Sequence, residues 1–389
     1  MRRTLAATAS ALAALTTLTC LTSSPAAQAT GVVCARPGAL TATGTTRLPD
    51  GLVMRSFSTP GRSSEGRPIT VQVHTVTAPL GLHVGLAPMF DNVSRTRTVH
   101  DLAAGVPNAL AAVNGDYFDY SQDWTSAVPF SSIVRGNRVI KARSAGDPVV
   151  GVGTDGKVHT ALLKLSGSVT SGTTSVPLNA VNTSGVNGLT LFTPAWGQAD
   201  RRTGSVELLV SGGKVTGRLA RWQQAPSGTT VLSAFNSYAA ASFLNRLKVG
   251  ASVSWKLAET TSVRGLTFVN ALGRGPLVLS AGHNIANCTR EDTTASRPRT
   301  GIGWANGGST VIFFTVADTM SRASYDGGLT HYQAAALLAR LGATNAVLVD
   351  GGRSTTLEVR TSLRGSLNRV DRPADTERSV PNGWAIVAR

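Results

Sequence analysis

The chain has few acidic residues, few aromatic residues and only three cysteines. Asp and Glu total 21 against 37 Lys and Arg, so the formal net charge is +16. A protein this basic should be attracted to polyanions. Because 42% of its residues are hydrophobic and 15% are charged, the composition is nevertheless that of a globular protein and not of a disordered one.

Long apolar runs are missing after the first thirty residues, so the sequence there predicts no transmembrane segment. The first thirty residues carry Arg2 and Arg3, an apolar stretch from Leu5 to Leu21, and small residues before Ala29. That order is typical of a secretory signal peptide. We therefore expect cleavage after Ala29 and a secreted, extracellular protein. Loss of the two arginines lowers the net charge to +14.

Cysteine is scarce enough to permit at most one disulfide in the exported protein. Cys20 lies in the signal peptide, which leaves Cys34 and Cys288. In an oxidising compartment these two could pair and tie the N-terminal segment to the body. Two free thiols are the alternative. Cys and His residues show no zinc-site spacing anywhere in the sequence.

Several sequence motifs of common enzyme classes are also missing. Neither a Gly-Lys-Ser/Thr phosphate loop nor a G-x-G-x-x-G that opens a helix occurs, which argues against nucleotide binding. The G-x-S-x-G elbow of ordinary serine hydrolases is missing as well. For an exported basic protein we predict anionic wall polymers, and no nucleic acid, as partners.

Turn residues dominate the middle of the chain. Over residues 128–265, Gly-Asn, Asp-Gly and Gly-Gly pairs separate apolar runs, as in SIVRGNRVI, VVGVGTDGKVHTALL and VELLVSGGKVTGRL. Such pairs are strong hairpin signals. We predict a mostly antiparallel β subdomain at 128–265, inserted in a main domain over 67–389. Residues 30–66, rich in Gly, Thr, Ser, Arg and Pro, are expected to form an N-terminal arm.

The C-terminal third has a different pattern. The apolar run at 310–316 predicts a strand, apolar residues at 334, 335, 337, 338 and 341 predict one face of a helix, and 346–349 predicts another strand. Thr330 and Gln333 have capping-box spacing, and Gly342 is a natural stop. Strand, helix and strand form a βαβ unit with parallel strands. The expected fold class is α+β, with a mixed sheet, flanking helices and the β subdomain.

Polar residues follow these strands abruptly. Asp318 comes just after the first strand and Asp350 directly after the second, so both carboxylates should lie at one edge of the sheet, where ligands bind in open α/β sheets. The strand at 109–113 runs into Asn114 in the same way. If that strand joins the sheet in the same direction, Asn114 converges with the two aspartates.

The glycines after Asp350 have a functional and a structural interpretation. Backbone amides of Gly351 and Gly352 could form an anion-binding nest, and Ser354 adds a hydroxyl. Alternatively, Asp-Gly-Gly is an ordinary β-turn. Arg299, just before the 310–316 strand, could clamp a phosphate with two hydrogen bonds, or be one surface arginine among many.

Several short motifs occur in the order found in one known family. They are VNGDYF (113–118), GRGPLVLSAG (273–282), RTGIG (299–303), VAD (316–318), the helix at 328–343, VDGGRST (349–355) and DRPADTERSVPNGWAIV (371–387). Over roughly residue 65 to the end, the chain resembles the phosphodiester glycosidase family. The sequence departs from the family pattern at Asp116, where a small residue is commoner, and at Arg353, which replaces a third glycine.

The resemblance implies an enzyme, a hydrolase that cleaves sugar-1-phosphodiesters of the N-acetylglucosamine type. It implies catalytic roles for Asp350 and Asp318. The substrate-binding residues that follow from it are Asn114, Gly115, Asp116, Arg299, Thr300, Gly351, Gly352, Arg353, Ser354 and Thr355. Arg353 adds a bulky cation to the presumed phosphate nest.

Three questions about function stay open in the sequence. The two aspartates could act at the anomeric carbon or could hold a divalent cation such as Ca²⁺, which prefers oxygen ligands. The altered Asp-Gly-Gly-Arg motif also fits a non-catalytic module that binds anionic wall polysaccharide. A secreted nuclease or phosphodiesterase would usually need His and Asp metal clusters, which the sequence lacks.

Overall fold

The computed structural model describes residues 34–63, 65–123, 126–201, 204–220, 223–289, 295–318, 327–371 and 376–389, with only the backbone described at 120–123 and 126. The predicted signal peptide lies outside these ranges. The described residues form three β-sheets, one isolated hairpin and three α-helices. We name the sheets A, B and C.

Sheet A has eight strands, each antiparallel to its neighbours. From edge to edge these are β1 (Thr41–Arg47), β2 (Val53–Arg62), β3 (Pro68–Pro79), β23 (Thr310–Asp318), β22 (Arg299–Ala305), β24 (Asn345–Leu348), β20 (Leu277–Ser280) and β21 (His283–Asn284). The segment expected as an N-terminal arm therefore contributes two strands, β1 and β2. Their alternating Thr, Ser and apolar residues suit a half-exposed sheet edge.

Sheet B has five antiparallel strands, with β5 at its centre. Its order is β26 (Leu367–Arg369), β25 (Leu357–Arg360), β5 (Ala109–Asn114), β27 (Gly383–Ala388) and β4 (Val84–Met89). A separate hairpin pairs β6 (Phe118–Asp123) with β7 (Ser126–Pro129). The expectation that the 109–113 strand joins the sheet of the two aspartates was wrong, because β5 pairs with β25 and β27 instead.

Sheet C has twelve strands, all between residues 133 and 273. In order they are β12 (Thr174–Leu178), β11 (Val158–Ser171), β10 (Asp147–Gly153), β19 (Phe268–Gly273), β8 (Ile133–Arg135), β9 (Arg138–Arg143), β13 (Ala180–Val181), β14 (Gly188–Phe192), β17 (Thr230–Phe235), β15 (Val206–Ser211) and β16 (Lys214–Leu219), with β18 (Ser254–Thr261) paired to β11. The three predicted hairpins are confirmed as β8–β9, β10–β11 and β15–β16. Sheet C nearly closes into a barrel, since Lys214 of β16 bridges Ser252 beside β18.

The helices are short and cover the outer faces of the sheets. They are α1 (Val99–Ala104), α2 (Tyr238–Arg246) and α3 (His331–Arg340), with 3-10 turns at Pro49–Gly51, Pro194–Trp196, Asn306–Gly308 and Gly352–Ser354. Helix α3 begins as the sequence predicts: the Thr330 hydroxyl accepts from the Gln333 amide, and the Gln333 side chain accepts from the Thr330 amide. Gly342 takes a positive φ of 100° just after it.

Sheets A and B share one core, and alternation along β23 shows why. Val311 and Phe313 pack with residues of sheet B, whereas Ile312, Phe314 and Val316 pack under α3. A strand with both faces covered reads as an unbroken apolar run, because neither set of alternating side chains meets water. Helix α1 covers the outer face of sheet B in a further cluster.

The predicted βαβ unit is only partly realised. Strands β23 and β24 run in the same direction, because both are antiparallel to β22, which lies between them. They are therefore not hydrogen-bonded to each other, and the sheet at this point is antiparallel. A mostly β architecture replaces the expected α+β balance.

Cys34 and Cys288 form the predicted disulfide, with Cα atoms 5.6 Å apart. The bridge spans a sequence separation of 254. Loop-closure entropy for a loop of this length predicts that a Cys288→Ser substitution lowers the free energy of unfolding by about 5 kcal/mol. Urea unfolding should show this as a lower midpoint, with a steeper slope because the unfolded chain without the bridge exposes more surface. If the Cys34→Ser/Cys288→Ser double variant were less stable than either single one, the loss would not come from the bridge.

Among the described residues, no helix combines the length and the apolar character that a membrane crossing requires.

Candidate active site

The site lies where the chain crosses from sheet A to sheet B. After β24 ends at Leu348, residues 349–356 lead into β25. The end of β5 holds this crossing: the Asn114 carboxamide donates to the Asp350 carbonyl at 2.7 Å and accepts from the Thr300 hydroxyl at 2.7 Å. It also accepts from the Thr356 amide at 3.3 Å. Asn114 and Asp350 thus converge, although they belong to different sheets.

Asn114 positions the crossing and does not face a ligand. Its side chain is fully buried, and both ends of the carboxamide are occupied by the contacts just given. The predicted role of Asn114 in substrate binding stays a prediction. Gly115 also positions the crossing, because its carbonyl accepts from the Asp350 amide at 3.0 Å. A side chain at Gly115 would collide with the Asn382 carboxamide oxygen, 2.3 Å from the site of a Cβ.

Asp350 carries a largely buried carboxylate. Burial raises its pKa above the ordinary Asp value, against the lowering effects of the Ser354 hydroxyl, the Arg378 charge and the Gly351 amide. The Gly351 amide donates to Asp350 Oδ1 at 2.9 Å. A carboxylate whose pKa is displaced upward is suited to transfer protons nearer neutral pH.

Ser354 links Asp350 to a cation. The Ser354 side chain is fully buried and hydrogen-bonds Asp350. Arg378 Nη1 donates to Ser354 Oγ at 3.2 Å. The Arg378 guanidinium lies 5.0 Å from the centroid of the Phe118 ring, in a cation–π contact that holds it in place. The arrangement sets one cation and one hydroxyl against the Asp350 carboxylate.

The two glycines after Asp350 do not form a free anion nest. The Gly351 amide donates to the Asp350 side chain, and the Gly352 amide donates to the Pro298 carbonyl at 2.9 Å. Gly352 takes a positive φ of 59°, which explains the glycine. Arg353 follows in the 3-10 turn with an exposed side chain. The bulky cation therefore lies on the surface and not inside a nest.

Arg299 is committed to the protein. It is 7% exposed, and its guanidinium donates to the carbonyls of Leu329 at 3.0 Å and Ala295 at 2.6 Å. A third contact, 2.8 Å long, joins Arg299 Nη1 to His331 Nε2. Since Arg cannot lose its proton in a protein, the imidazole nitrogen is the acceptor. These contacts hold the start of β22 against α3, and the phosphate clamp at Arg299 stays a prediction.

Two threonines named from the sequence are also buried. Thr300 is fully buried and gives its hydroxyl proton to Asn114. Thr355 is fully buried, and its carbonyl accepts from Arg369 Nη2 at 3.4 Å. Both help to shape the crossing and neither is exposed to a substrate.

Asp116 lies beneath the site and not in it. Its carboxylate is buried and accepts from the Ser131 amide at 2.7 Å. Burial raises the pKa of Asp116 to about 7, despite the Ser131 hydrogen bonds and the Lys141 charge. Lys141 is itself buried, which lowers its pKa to about 8, and Asp147 lies close enough to oppose that shift. Substrate binding by Asp116 stays a prediction.

Asp318 ends β23 at the same sheet edge as Asp350. Because β22 separates their strands, the two backbones lie two ladder spacings of about 5 Å apart. Asp318 is half-buried, beside Gly327. The described residues contain no group of three or more His, Cys, Asp or Glu side chains that could hold a metal ion. The predicted Ca²⁺ between the aspartates stays a prediction.

Sequence reasoning missed two residues that the structure brings to this region. Arg378 is one arginine among many in the sequence, and its only signal is its place in the DRPADTERSVPNGW segment. Lys141 gives a weak signal, as a lone lysine between apolar residues in β9. Ser354, which contacts Arg378, and Asp116, which interacts with Lys141, each lie more than twenty residues away along the chain.

Comparison with known proteins agrees with the motif resemblance. The family model for phosphodiester glycosidase matches residues 198–387. Of the curated proteins, none matches this chain.

Three solved structures are similar over most of the chain. A Synechocystis protein described as hypothetical superposes with a TM-score of 0.67 and 21% identity, over 90% of this chain and 68% of that one. A provisionally named exported protein of Burkholderia pseudomallei K96243 gives 0.68 and 16%, over 91% and 99%. The catalytic domain of zebrafish N-acetylglucosamine-1-phosphodiester alpha-N-acetylglucosaminidase, auto-inhibited by its pro-peptide, gives 0.45 and 14%, over 90% and 88%.

The matched range 198–387 contains Asp318, Asp350, Ser354 and Arg378, whereas Asn114 lies outside it. Over that range, the resemblance of this chain to the phosphodiester glycosidase family is confirmed.

Proposed function

We propose that this protein is a secreted glycosidase that hydrolyses sugar-1-phosphodiesters at the bond between C1 of the sugar and the bridging oxygen. The observation that carries the proposal is the Asp350 group: a largely buried carboxylate of raised pKa, hydrogen-bonded to Ser354 and opposed by Arg378. The family match over 198–387 supports the reaction class.

The chemistry assigns a task to each member of this group. Water adds to C1 of the sugar, the C1–O bond breaks, and a phosphate monoester leaves with the bridging oxygen. A phosphate monoester is a good leaving group, so the main need is to activate water and to stabilise an oxocarbenium-like transition state. Asp350 takes the water proton, and the cations Arg378 and Arg353 face the phosphate charge.

Asp318 is the second carboxylate of the proposed reaction. Its place at the same sheet edge suits a stabiliser of positive charge on the sugar ring. A Ca²⁺ ion between the two aspartates is the other role that we propose for this pair, with oxygen ligands as that cation prefers. Turnover after dialysis against a chelator separates these roles. Activity that is lost and returns with Ca²⁺ indicates the ion, whereas unchanged activity indicates that Asp318 acts directly.

The surrounding charge favours polyanionic substrates. A secreted chain with a net charge of +14 after loss of Arg2 and Arg3, and with an exposed Arg353 beside the site, should attract phosphate-bearing wall polymers from solution. The disulfide fits the oxidising surroundings of an exported protein. We therefore propose cell-wall or extracellular phosphoglycans as the natural substrates.

Hydrolysis in isotope-labelled water tests the bond that is cut. The protein would be incubated with UDP-N-acetylglucosamine and with a methyl-phosphate glycoside in H₂¹⁸O, and the products weighed by mass spectrometry. We expect the label in the released sugar. Label in the phosphate would instead indicate P–O cleavage by a phosphodiesterase. If nothing were released while the protein still sedimented with wall polymers, the binding-module alternative would replace the enzyme.

A further inference from the structure

A groove opens at one mouth of sheet C, outside the residue set around Asp350. It has a volume of about 800 Å³, within the usual range for ligand sites, which often lie at the mouths of β-barrels. Strand β9 and the 3-10 turn at Pro194–Trp196 form its walls, and strand β18 forms its floor. Thr230 and Thr267 lie at the sides.

Side chains along strand β18, the floor of the groove, alternate between a half-buried face and an exposed face. Trp255, Leu257 and Glu259 share one half-buried face of the strand, whereas the residues between them are exposed on the other face. Trp255 and Leu257 also pack against the core of sheet C. An aromatic ring is thus held rigidly at the side of a concave surface, as ligand sites require.

Glu259 lines this groove and carries an unsatisfied acceptor. One carboxylate oxygen accepts from the Phe268 amide at 2.8 Å, while the other is buried and has no hydrogen-bond partner among the described residues. A buried polar atom without a partner costs free energy, so such atoms often belong to binding sites. Burial raises the pKa of Glu259, against the hydrogen bond from Phe268.

Apart from Arg138, the other described residues of the lining are uncharged and of mixed polarity. Thr193, Thr230 and Asn137 offer hydroxyl and amide groups, while Val139 and Ile140 offer apolar surface. Arg138 is exposed at the rim. Because the one charged group on the floor is a carboxylate, an anionic ligand would meet repulsion there. A sugar ring fits this lining, because its apolar C–H face can stack on the Trp255 indole and its hydroxyl groups can donate hydrogen bonds to the Glu259 carboxylate.

We propose that this groove is a binding site for a neutral oligosaccharide, with Trp255 as the stacking platform and Glu259 as the hydroxyl acceptor. The inference does not rest on the proposed function. It predicts a second carbohydrate contact in the β subdomain, which would hold a glycan chain while the Asp350 site is free or occupied.

Isothermal titration of the exported form with cellotetraose tests the site, with tetragalacturonate as an acidic comparator of similar length. We expect cellotetraose to bind and tetragalacturonate to bind at least tenfold more weakly. Glu259→Gln should weaken cellotetraose binding about tenfold, the loss of one charge-assisted hydrogen bond. Trp255→Ala should weaken it about tenfold, and Trp255→Phe less.

Matched controls make the result decisive. Thr260→Ala alters the exposed face of the same strand and should leave affinity unchanged, as should Asp350→Asn. Melting temperatures show whether Trp255→Ala still folds, and Trp255→Phe and Glu259→Gln give readouts if it does not. Failure of the wild type to bind cellotetraose at millimolar concentration overturns the proposal. So does binding that Asp350→Asn abolishes and that Trp255 and Glu259 variants leave unchanged.

Discussion

Replacing Asp350 by Asn should lower the turnover of a sugar-1-phosphodiester by about 10³-fold, the loss expected for a positioned acid or base. The substitution keeps the size of the side chain but removes the charge and turns one acceptor oxygen into a donor. The Asp350 backbone, held by Asn114 and Gly115, is expected to stay in place. The measurement is release of reducing sugar by purified wild type and variant under saturating substrate.

Two further variants separate Asp350 from its neighbours. Ser354→Ala should reduce turnover less than Asp350→Asn, because it removes one hydrogen bond and leaves the carboxylate. The turnover of Asp318→Asn shows whether the second carboxylate contributes to the reaction. If Asp350→Asn kept full activity while Asp318→Asn lost it, the chemistry would lie at the end of β23, and the proposed assignment would be wrong.

The pH dependence of activity tests the role of Asp350 independently. The Arg378 charge lowers the pKa of Asp350, while burial raises it. Replacing Arg378 by Met should therefore move this pKa further up. If Asp350 acts as a base, activity falls as pH drops through its pKa, so that fall would begin at higher pH in the variant. An unchanged profile of kcat/KM would show that Asp350 does not titrate in the reaction.

Replacing Lys141 by Met should lower the free energy of unfolding by about 3–5 kcal/mol, because it leaves the buried Asp116 carboxylate without its cation. The Lys141 side chain is 1% exposed, and its ammonium donates to the Phe130 carbonyl at 3.3 Å. Asp116 and Asp147 both interact with this charge. Urea unfolding at pH 7 measures the change.

Arg143→Met is the matched control for this buried charge. Arg143 Nε bonds Asp147 at 2.6 Å and the Arg143 side chain is 43% exposed. Because Lys141 stays close to the buried Asp147, the loss of Arg143 should cost about 2 kcal/mol, less than the loss of Lys141. In a Lys141→Met/Asp116→Asn double variant, part of the loss should be recovered, since one of the stranded charges is gone. Strict additivity of the two single effects would mean that Lys141 and Asp116 do not interact.

The pH dependence of this effect has a defined sign. The pKa of Asp116 is about 7 in the folded protein and 3.8 in its ordinary state. Its contribution to stability is therefore fully present below pH 3.8 and is lost as pH rises through 7. Without Lys141 the folded pKa rises further. The deficit of Lys141→Met relative to wild type should then be smaller at pH 5 than at pH 7.

Local signals in the sequence predicted local structure well. The Gly-Asn, Asp-Gly and Gly-Gly pairs marked three hairpins that the structure contains. The capping box at Thr330 and Gln333 marked the start of α3. These features depend on backbone conformations and hydrogen bonds within a few residues, so neighbours along the chain determine them. The abrupt end of apolar strands at Asn114, Asp318 and Asp350 is likewise a local feature of the amino-acid order.

Local sequence patterns could not predict which strands pair with each other. The run at 109–113 is buried on both faces in any sheet, so its sequence could not distinguish sheet B from sheet A. The same limit explains why β22 between β23 and β24 was not foreseen. Pairing depends on contacts far apart in the chain, and a single sequence carries no direct record of them.

By itself, the sequence determined the basic character of the protein, its β-rich middle and the carboxylates at the strand ends, because composition and local periodicity decide these. Only the tertiary structure decided which groups are free to act. In the fold, Asn114, Arg299 and Thr300 form hydrogen bonds within the protein, and Arg378 lies beside Ser354 and Asp350. The physical reason is hydrogen-bond satisfaction: a buried polar group takes whichever partner the fold brings within about 3 Å, and that partner can lie anywhere in the chain.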